Sequence, residues 1–97
     1  MGTIRIIATP PGQAPEWVRN EWIGVEIPLT EQLSGGLQFG VLGGQAENVN
    51  GYQVNGSDAF RALEKKSNAA AMWWLNEAPW ALANKLVFAK DVCVVID

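Results

Sequence analysis

Apolar and polar residues alternate along several short runs of the chain, which is the pattern of half-buried β-strands. In the first run, TIRIIA at 3–8, Ile4, Ile6 and Ala8 share one face and Arg5 lies on the other. We therefore predict a strand here with its two even-numbered isoleucines in the core.

A second alternating run begins at Trp22, where the hydrophobic period changes to two. It predicts a strand that ends at Pro28 or runs along a sheet edge, because proline lacks the N–H that a strand ladder uses. Trp22 and Glu26 fall on the outward face, where Glu26 could pair with Arg5 if the two strands are neighbours. The predicted inward face contains four apolar residues, Ile23, Val25, Ile27 and Leu29.

Further apolar runs predict strands later in the chain. LQFGVL at 37–42 alternates and is followed by a turn at Gly43 and Gly44. A short strand is expected around Tyr52 and Val54, between two Val-Asn-Gly turns. VCVVI at 92–96 is apolar on both faces, which predicts a strand that is internal in a sheet or covered on both sides.

Two segments are predicted to be helical. Pro15 can stand in the first turn of a short helix that ends at about Asn20. The second segment spans about 57–77, and its polar run EKKSN leaves open whether it is one helix or two that meet near Ser67. Its apolar stripe consists of Phe60, Leu63, Ala70 and Trp74.

The order of these elements lacks the regular alternation of strand and long helix that a parallel sheet requires. With 97 residues, the chain has the size of a single compact domain spanning residues 1–97. We predict a small SH3-like antiparallel barrel of five or six short strands, with the helical segment inserted. The alternative is an open α+β sheet of the ferredoxin-like kind.

The charge pattern narrows the classes of partner. Ten acidic and seven scattered basic residues give a net charge of −3, so the chain lacks the concentrated positive surface that nucleic-acid binding needs. No run approaches the ~18 apolar residues of a membrane span, and the first run is too short for a secretory signal. We expect a soluble, cytoplasmic protein with neither a nucleic-acid nor a membrane partner.

Residue types exclude several common chemistries. The chain has no histidine and one cysteine, so a histidine-based triad and a Cys/His zinc site are impossible. Cys93 lies among valines, which favour a neutral thiol. Four glutamates between residues 16 and 31 recur every five residues, a spacing that does not bring carboxylates to one face. We expect no catalytic residue, metal or cofactor.

Five tryptophans are more than a core of this size can hold, because each buries ~150 to 250 Å² of surface. Trp74 continues the helical stripe and is predicted to lie in the core. Trp17, Trp22 and Trp73, with Tyr52 as a fourth member, form a candidate aromatic groove for a peptide, a protein or a small ligand. In the alternative, the helical segment covers the outward face of the second strand and buries Trp22 and Trp73.

The sequence therefore favours a non-catalytic binding or interaction module that uses exposed aromatics. Because 48% of the residues are hydrophobic, a structural subunit of a homo-oligomer is the alternative. A carboxylate-based enzyme is the least favoured function, because no acid-base or nucleophile pair can be assembled from these residues.

Overall fold

A computed structural model describes residues 2–12, 14–33, 37–39, 45–47, 51–83 and 85–97, and the structural statements below refer to these ranges. The described strands are β1 Thr3–Ile6, β2 Glu26–Pro28, β3 Glu31–Leu33, β4 Leu37–Phe39, β5 Gln45–Glu47, β6 Gly51–Asn55, β7 Lys85–Ala89 and β8 Cys93–Val95. The helices are α1 Glu16–Asn20, α2 Gly56–Lys66 and α3 Asn68–Glu77, with 3₁₀ turns at Pro79–Ala83 and Lys90–Val92.

The strands form antiparallel sheets. Sheet A has the order β2-β1-β8, sheet B has the order β3-β6-β7, and β4 pairs with β5. In sheet A, Ile4 of the central strand lies opposite Ile27 of β2 and Val95 of β8. Ile4 and Ile6 are fully buried and Arg5 is exposed, which confirms the face assignment made from the alternating pattern.

Two short connections join sheet A to sheet B. From β2 the chain enters β3 through Leu29 and Thr30, and Thr30 donates both its N–H and its hydroxyl to the carbonyl of Gln53 at 2.8 Å. From β7 it returns to β8 through the 3₁₀ turn Lys90–Val92. The predicted class, short antiparallel strands with an inserted helical segment, is confirmed. The described strands do not close into a barrel, and the SH3-like arrangement stays a prediction.

Among the described strands, the run 92–96 is not internal. There β8 pairs with β1 alone and forms an edge of sheet A, and Val94, Val95 and Ile96 are exposed. The prediction was wrong because a short, continuously apolar run carries no periodicity that distinguishes a covered face from an uncovered one.

Trp22 precedes strand β2, which begins at Glu26. Helix-type hydrogen bonding continues beyond α1, because the Trp22 N–H donates to the Arg19 carbonyl at 3.1 Å. Gly24 then adopts a φ of +91°, which glycine tolerates without a Cβ penalty, and the chain turns into β2. These local turns delay the start of the strand.

The delay changes which side chains face inward. Val25 and Ile27 are buried, as predicted. Ile23 is exposed, so its inward assignment was wrong, whereas Trp22 is fully buried, as expected if the helical segment covers it. The period of two begins only at Val25, and Trp22 enters the core from a helical turn rather than from a strand face.

The inserted helical segment consists of two helices that meet at Ser67. The backbone of Ser67 is extended, with φ −150° and ψ 100°, and its hydroxyl oxygen accepts the Ala70 N–H at 3.2 Å. This contact is an N-cap for α3, and serine is well suited to it. The choice left open by the polar run is thereby settled in favour of two helices.

The core lies between the sheets and the α2–α3 pair. Phe60, Leu63, Ala70 and Trp74 are all buried, which confirms the predicted stripe. The aromatic centre of the core is a chain of ring contacts in which Trp22 meets Phe60 and Phe88, and Phe60 meets Trp74. The turn predicted at Gly43 and Gly44 lies outside the described residues.

Candidate functional site

Trp17 is the most exposed of the tryptophans, with 51% of its surface accessible. It lies on α1, which follows Pro15, and the neighbouring Val18 is fully buried. The buried Val18 side chain therefore anchors the helix, and the adjacent Trp17 side chain faces solvent.

Hydrogen bonds brace this short helix against the loop that precedes it. Arg19 donates from Nε to the Ala14 carbonyl at 2.8 Å and from Nη1 to the Pro10 carbonyl at 3.3 Å. The Thr9 hydroxyl donates to the Asn20 side-chain oxygen at 2.5 Å. Five residues are too few for a stable isolated helix, so these contacts hold Trp17 in place.

Trp22 does not belong to an exposed groove. Its ring centroid lies 5.8 Å from that of Phe60 and 5.3 Å from that of Phe88, and none of its surface is accessible. A fully buried indole offers no surface to a partner, so Trp22 is reassigned to the core. The alternative interpretation, in which the helical segment covers it, holds for this residue, because Phe60 belongs to α2.

Trp73 and Tyr52 occupy intermediate positions. Trp73 is partly buried on α3 and meets Trp74 edge to face at 5.0 Å between centroids. Tyr52 is partly buried in β6, and the Lys90 ammonium lies 5.7 Å from its ring centroid. Such a cation–π contact orients the ring without removing it from solvent.

The structure brings two of the four predicted site residues into one region. Helix α1 packs against α3, so Trp17 and Trp73 belong to neighbouring helices, although no direct ring contact joins them in the described chain. Tyr52 lies in sheet B opposite Phe88, and it has no ring contact with either tryptophan among the described residues. The predicted four-membered groove is therefore reduced to a helical surface around Trp17.

The sequence interpretation missed two exposed apolar features. Trp80, on the 3₁₀ turn Pro79–Ala83, is 45% accessible. The edge strand β8 exposes valines that were expected to be covered. No signal within the run distinguishes an edge strand from an internal one, because a short apolar run carries no periodicity.

A cleft of about 500 Å³ separates β2 from α2. Both carboxylates that line it have a charged partner. Glu26 accepts a hydrogen bond from Arg5, and the Asp58 Oδ1 atom lies 3.6 Å from the Arg61 Nη1 atom. The Lys66 ammonium donates to the carbonyl of Ile23. The full lining is Gly24, Val25, Glu26, Pro28, Asp58, Arg61, Ala62, Lys65 and Lys66.

The two carboxylates of this cleft, those of Glu26 and Asp58, each lie beside an arginine side chain. In the ranges that the structure describes, no group of three or more acidic or cysteine side chains is arranged to hold a metal ion.

The Cys93 thiol is buried and donates to the Ala89 carbonyl at 3.2 Å. Burial, with a smaller contribution from the Asp91 carboxylate, raises the pKa of this thiol from 9.0 to about 12. A thiol that stays protonated at neutral pH is a poor nucleophile, so Cys93 acts as an apolar core residue.

Comparison with family models, curated proteins and solved structures finds no match to this chain. Among the described helices, none has the length and apolar character needed to cross a bilayer.

Proposed function

We propose that this protein is a non-catalytic interaction module with an SH3-like strand arrangement, and that Trp17 anchors its partner. One observation carries the proposal. Trp17 is 51% exposed, and hydrogen bonds to the preceding loop hold its helix in place. Large aromatic side chains dominate the energetics of protein interfaces, because they bury much surface for little lost conformational freedom.

Two connections support the SH3-like arrangement. The chain crosses from β2 in sheet A to β3 in sheet B within Leu29 and Thr30, as one bent strand does when it contributes to two sheets. A single 3₁₀ turn, Lys90–Val92, then returns β7 to the first sheet as β8. Small bent sheets of this kind present loops and short helices on a rigid support.

Preorganisation strengthens the argument for Trp17. Arg19 and Thr9 hold α1 in its folded position before any partner arrives, so binding does not have to order the helix. Glu16 is exposed beside the indole, which favours a partner with a basic residue next to an apolar one. We therefore infer that the partner is a peptide segment or a protein surface with both features.

The test is selection of random linear peptides displayed on phage against the immobilised protein, followed by measurement of the Kd of enriched peptides. W17A should weaken binding at least tenfold, which corresponds to about 1.4 kcal/mol. W80A is the matched control, because Trp80 is also a tryptophan and is 45% accessible, and it should bind like the wild type.

Circular dichroism and urea denaturation of W17A establish that a loss of binding is not a loss of folding. Enriched peptides that bind W17A as tightly as the wild type, or a selection that enriches none, would overturn the proposal.

A structural homo-oligomer subunit is the second candidate function. The observation that favours it is the open, apolar edge of β8.

A further inference from the structure

The hydrogen bonds of β8 show which of its backbone groups face outward. The Ile7 N–H donates to the Val92 carbonyl at 2.8 Å, and the Ile96 N–H donates to the Thr3 carbonyl at 2.9 Å. Since successive residues of an antiparallel strand direct their N–H and C=O groups to opposite sides, Cys93 and Val95 direct theirs away from β1. In the described chain no strand pairs with that side of β8.

The other edge of sheet A is protected. The Ile6 N–H donates to the Val25 carbonyl and the Leu29 N–H donates to the Gly2 carbonyl, so Glu26 and Pro28 are the residues of β2 that face away from β1. Pro28 has no N–H, and a charged residue such as Glu26 discourages strand addition. Helix α2 also lies beside this edge.

Within the described ranges, the edge at β8 lacks such protection. Val95 is 44% accessible, and its neighbours Val94 and Ile96 are exposed as well. Val94 lies opposite Arg5, so it shares the outer face of the sheet with Arg5 and with the exposed Ile7. An unpaired, uncharged edge next to β-branched side chains is a template for another strand.

We propose that β8 pairs antiparallel with β8 of a second copy of this chain, across a two-fold axis at Val95. The result is a continuous six-stranded sheet with the order β2-β1-β8-β8-β1-β2. In this register each Val95 donates its N–H to the carbonyl of Val95 in the second copy, which satisfies the outward-facing groups at the centre of the edge.

Charge and side-chain pairing select this register. An axis at Val94 would place each Asp97 opposite Asp91 of the second copy, and directly opposed like charges are destabilising. With the axis at Val95, each Asp97 lies beside Cys93 of the second copy instead. Val94 then lies directly across from Ile96 of the second copy, in the non-hydrogen-bonded type of pair in which side chains approach most closely.

The interface uses β8 and leaves α1 uninvolved. It rests on the second candidate function, a homo-oligomer subunit, and is independent of the proposed binding through Trp17. The two surfaces can be tested separately: W17A should keep the dimer, and an edge variant should keep peptide binding. A failure of one proposal therefore leaves the other standing.

The first experiment measures molar mass by sedimentation equilibrium over a wide range of protein concentration. The wild type should show a monomer–dimer equilibrium, and V95K and V95P should each raise the dimer dissociation constant at least tenfold. The two variants act differently: V95K adds charge at the edge, whereas V95P removes the outward N–H. M72K is the matched control, because Met72 on α3 is 43% accessible, and its dimerisation should equal that of the wild type.

The second experiment tests the register by disulfide formation in a C93A background. V94C and I96C should cross-link when the two proteins are mixed and oxidised, because directly opposed residues bring their Cα atoms within disulfide range. V94C alone should not form a covalent dimer.

A wild type that is monomeric at every concentration, or a dimer that V95K and V95P leave unchanged, would overturn the pairing. Cross-linking of V94C with itself but not with I96C would overturn the register. Circular dichroism of each variant confirms that it is folded before its mass is interpreted.

Discussion

Arg5 of β1 and Glu26 of β2 lie opposite each other on the outer face of sheet A, and the guanidinium donates from Nε and Nη2 to one carboxylate oxygen at 3.0 and 2.7 Å. Both side chains are about half exposed. The alternating pattern of the two runs predicts this pair, and the antiparallel register confirms it. The pair neutralises the face on which Val94 is exposed.

A double-mutant cycle with R5A and E26A should give a coupling energy of ~0 to 1 kcal/mol, because half-exposed charges are screened by water. The coupling should shrink further in concentrated salt. Urea denaturation of the four proteins at low and high ionic strength measures both quantities. A coupling of several kcal/mol that salt does not change would contradict this assignment.

Replacement of Trp22 should destabilise the protein far more than replacement of Trp17. W22A removes a fully buried side chain that contacts Phe60 and Phe88, and such losses cost about 3 to 5 kcal/mol. W17A removes an exposed one and should change the free energy of unfolding by about 0.5 kcal/mol or less. Equal effects of the two substitutions in urea denaturation would show that Trp22 is not in the core.

The buried thiol of Cys93 should make stability depend on alkaline pH. In the unfolded chain the thiol ionises near its ordinary pKa of 9.0, whereas in the folded chain it keeps its proton up to about 12. The contribution of the thiol to the free energy of unfolding is therefore complete below about pH 9. It is lost as the pH rises towards the folded-state pKa, at a rate of at most about 1.4 kcal/mol per pH unit.

The measurement compares the wild type with C93A by urea denaturation at a series of pH values. Other groups titrate in both proteins, so the difference between the two free energies isolates the thiol. A difference that stays constant from neutral to strongly alkaline pH would contradict the prediction.

Gly51 of β6 lies where the neighbouring strand approaches closely. A Cβ at this position would lie 2.5 Å from the Val87 Cγ1 atom and 2.8 Å from the Phe88 carbonyl oxygen. G51A should therefore cost about 1 to 3 kcal/mol, the usual range for overpacking. G24A is the comparison: its Cβ would meet no atom within 4 Å, but the φ of +91° makes alanine unfavourable by about 1 to 2 kcal/mol. Wild-type stability of G51A would show that the strands are farther apart.

The hydrophobic periodicity correctly predicted which residues of a single strand or helix are buried together. Ile4 and Ile6 on a strand, and Phe60 and Leu63 on a helix, repeat at spacings that put them on one face, and they are buried together. Trp22 was misplaced because its position depends on Gly24, whose left-handed turn separates helix from strand and leaves no trace in the hydrophobic pattern.

The candidate site was predictable to a smaller extent. The excess of tryptophans indicates that some are exposed, and Trp17 is one of them, but composition does not say which. The edge of β8 depends on the order of strands in the sheet, which is a tertiary property. No pattern within VCVVI encodes the absence of a neighbour on one side.

Sheet A also determines how the chain has to fold. Its central strand pairs Ile4 with Val95, two residues separated by almost the full described sequence. Contacts between such distant residues form slowly, because the chain loses the entropy of a long loop before the pairing returns any free energy. During synthesis on the ribosome, β1 and β2 emerge long before β8. The edge of β1 that faces β8 therefore stays unpaired until the end of the described chain is made, because β2 covers only the opposite edge.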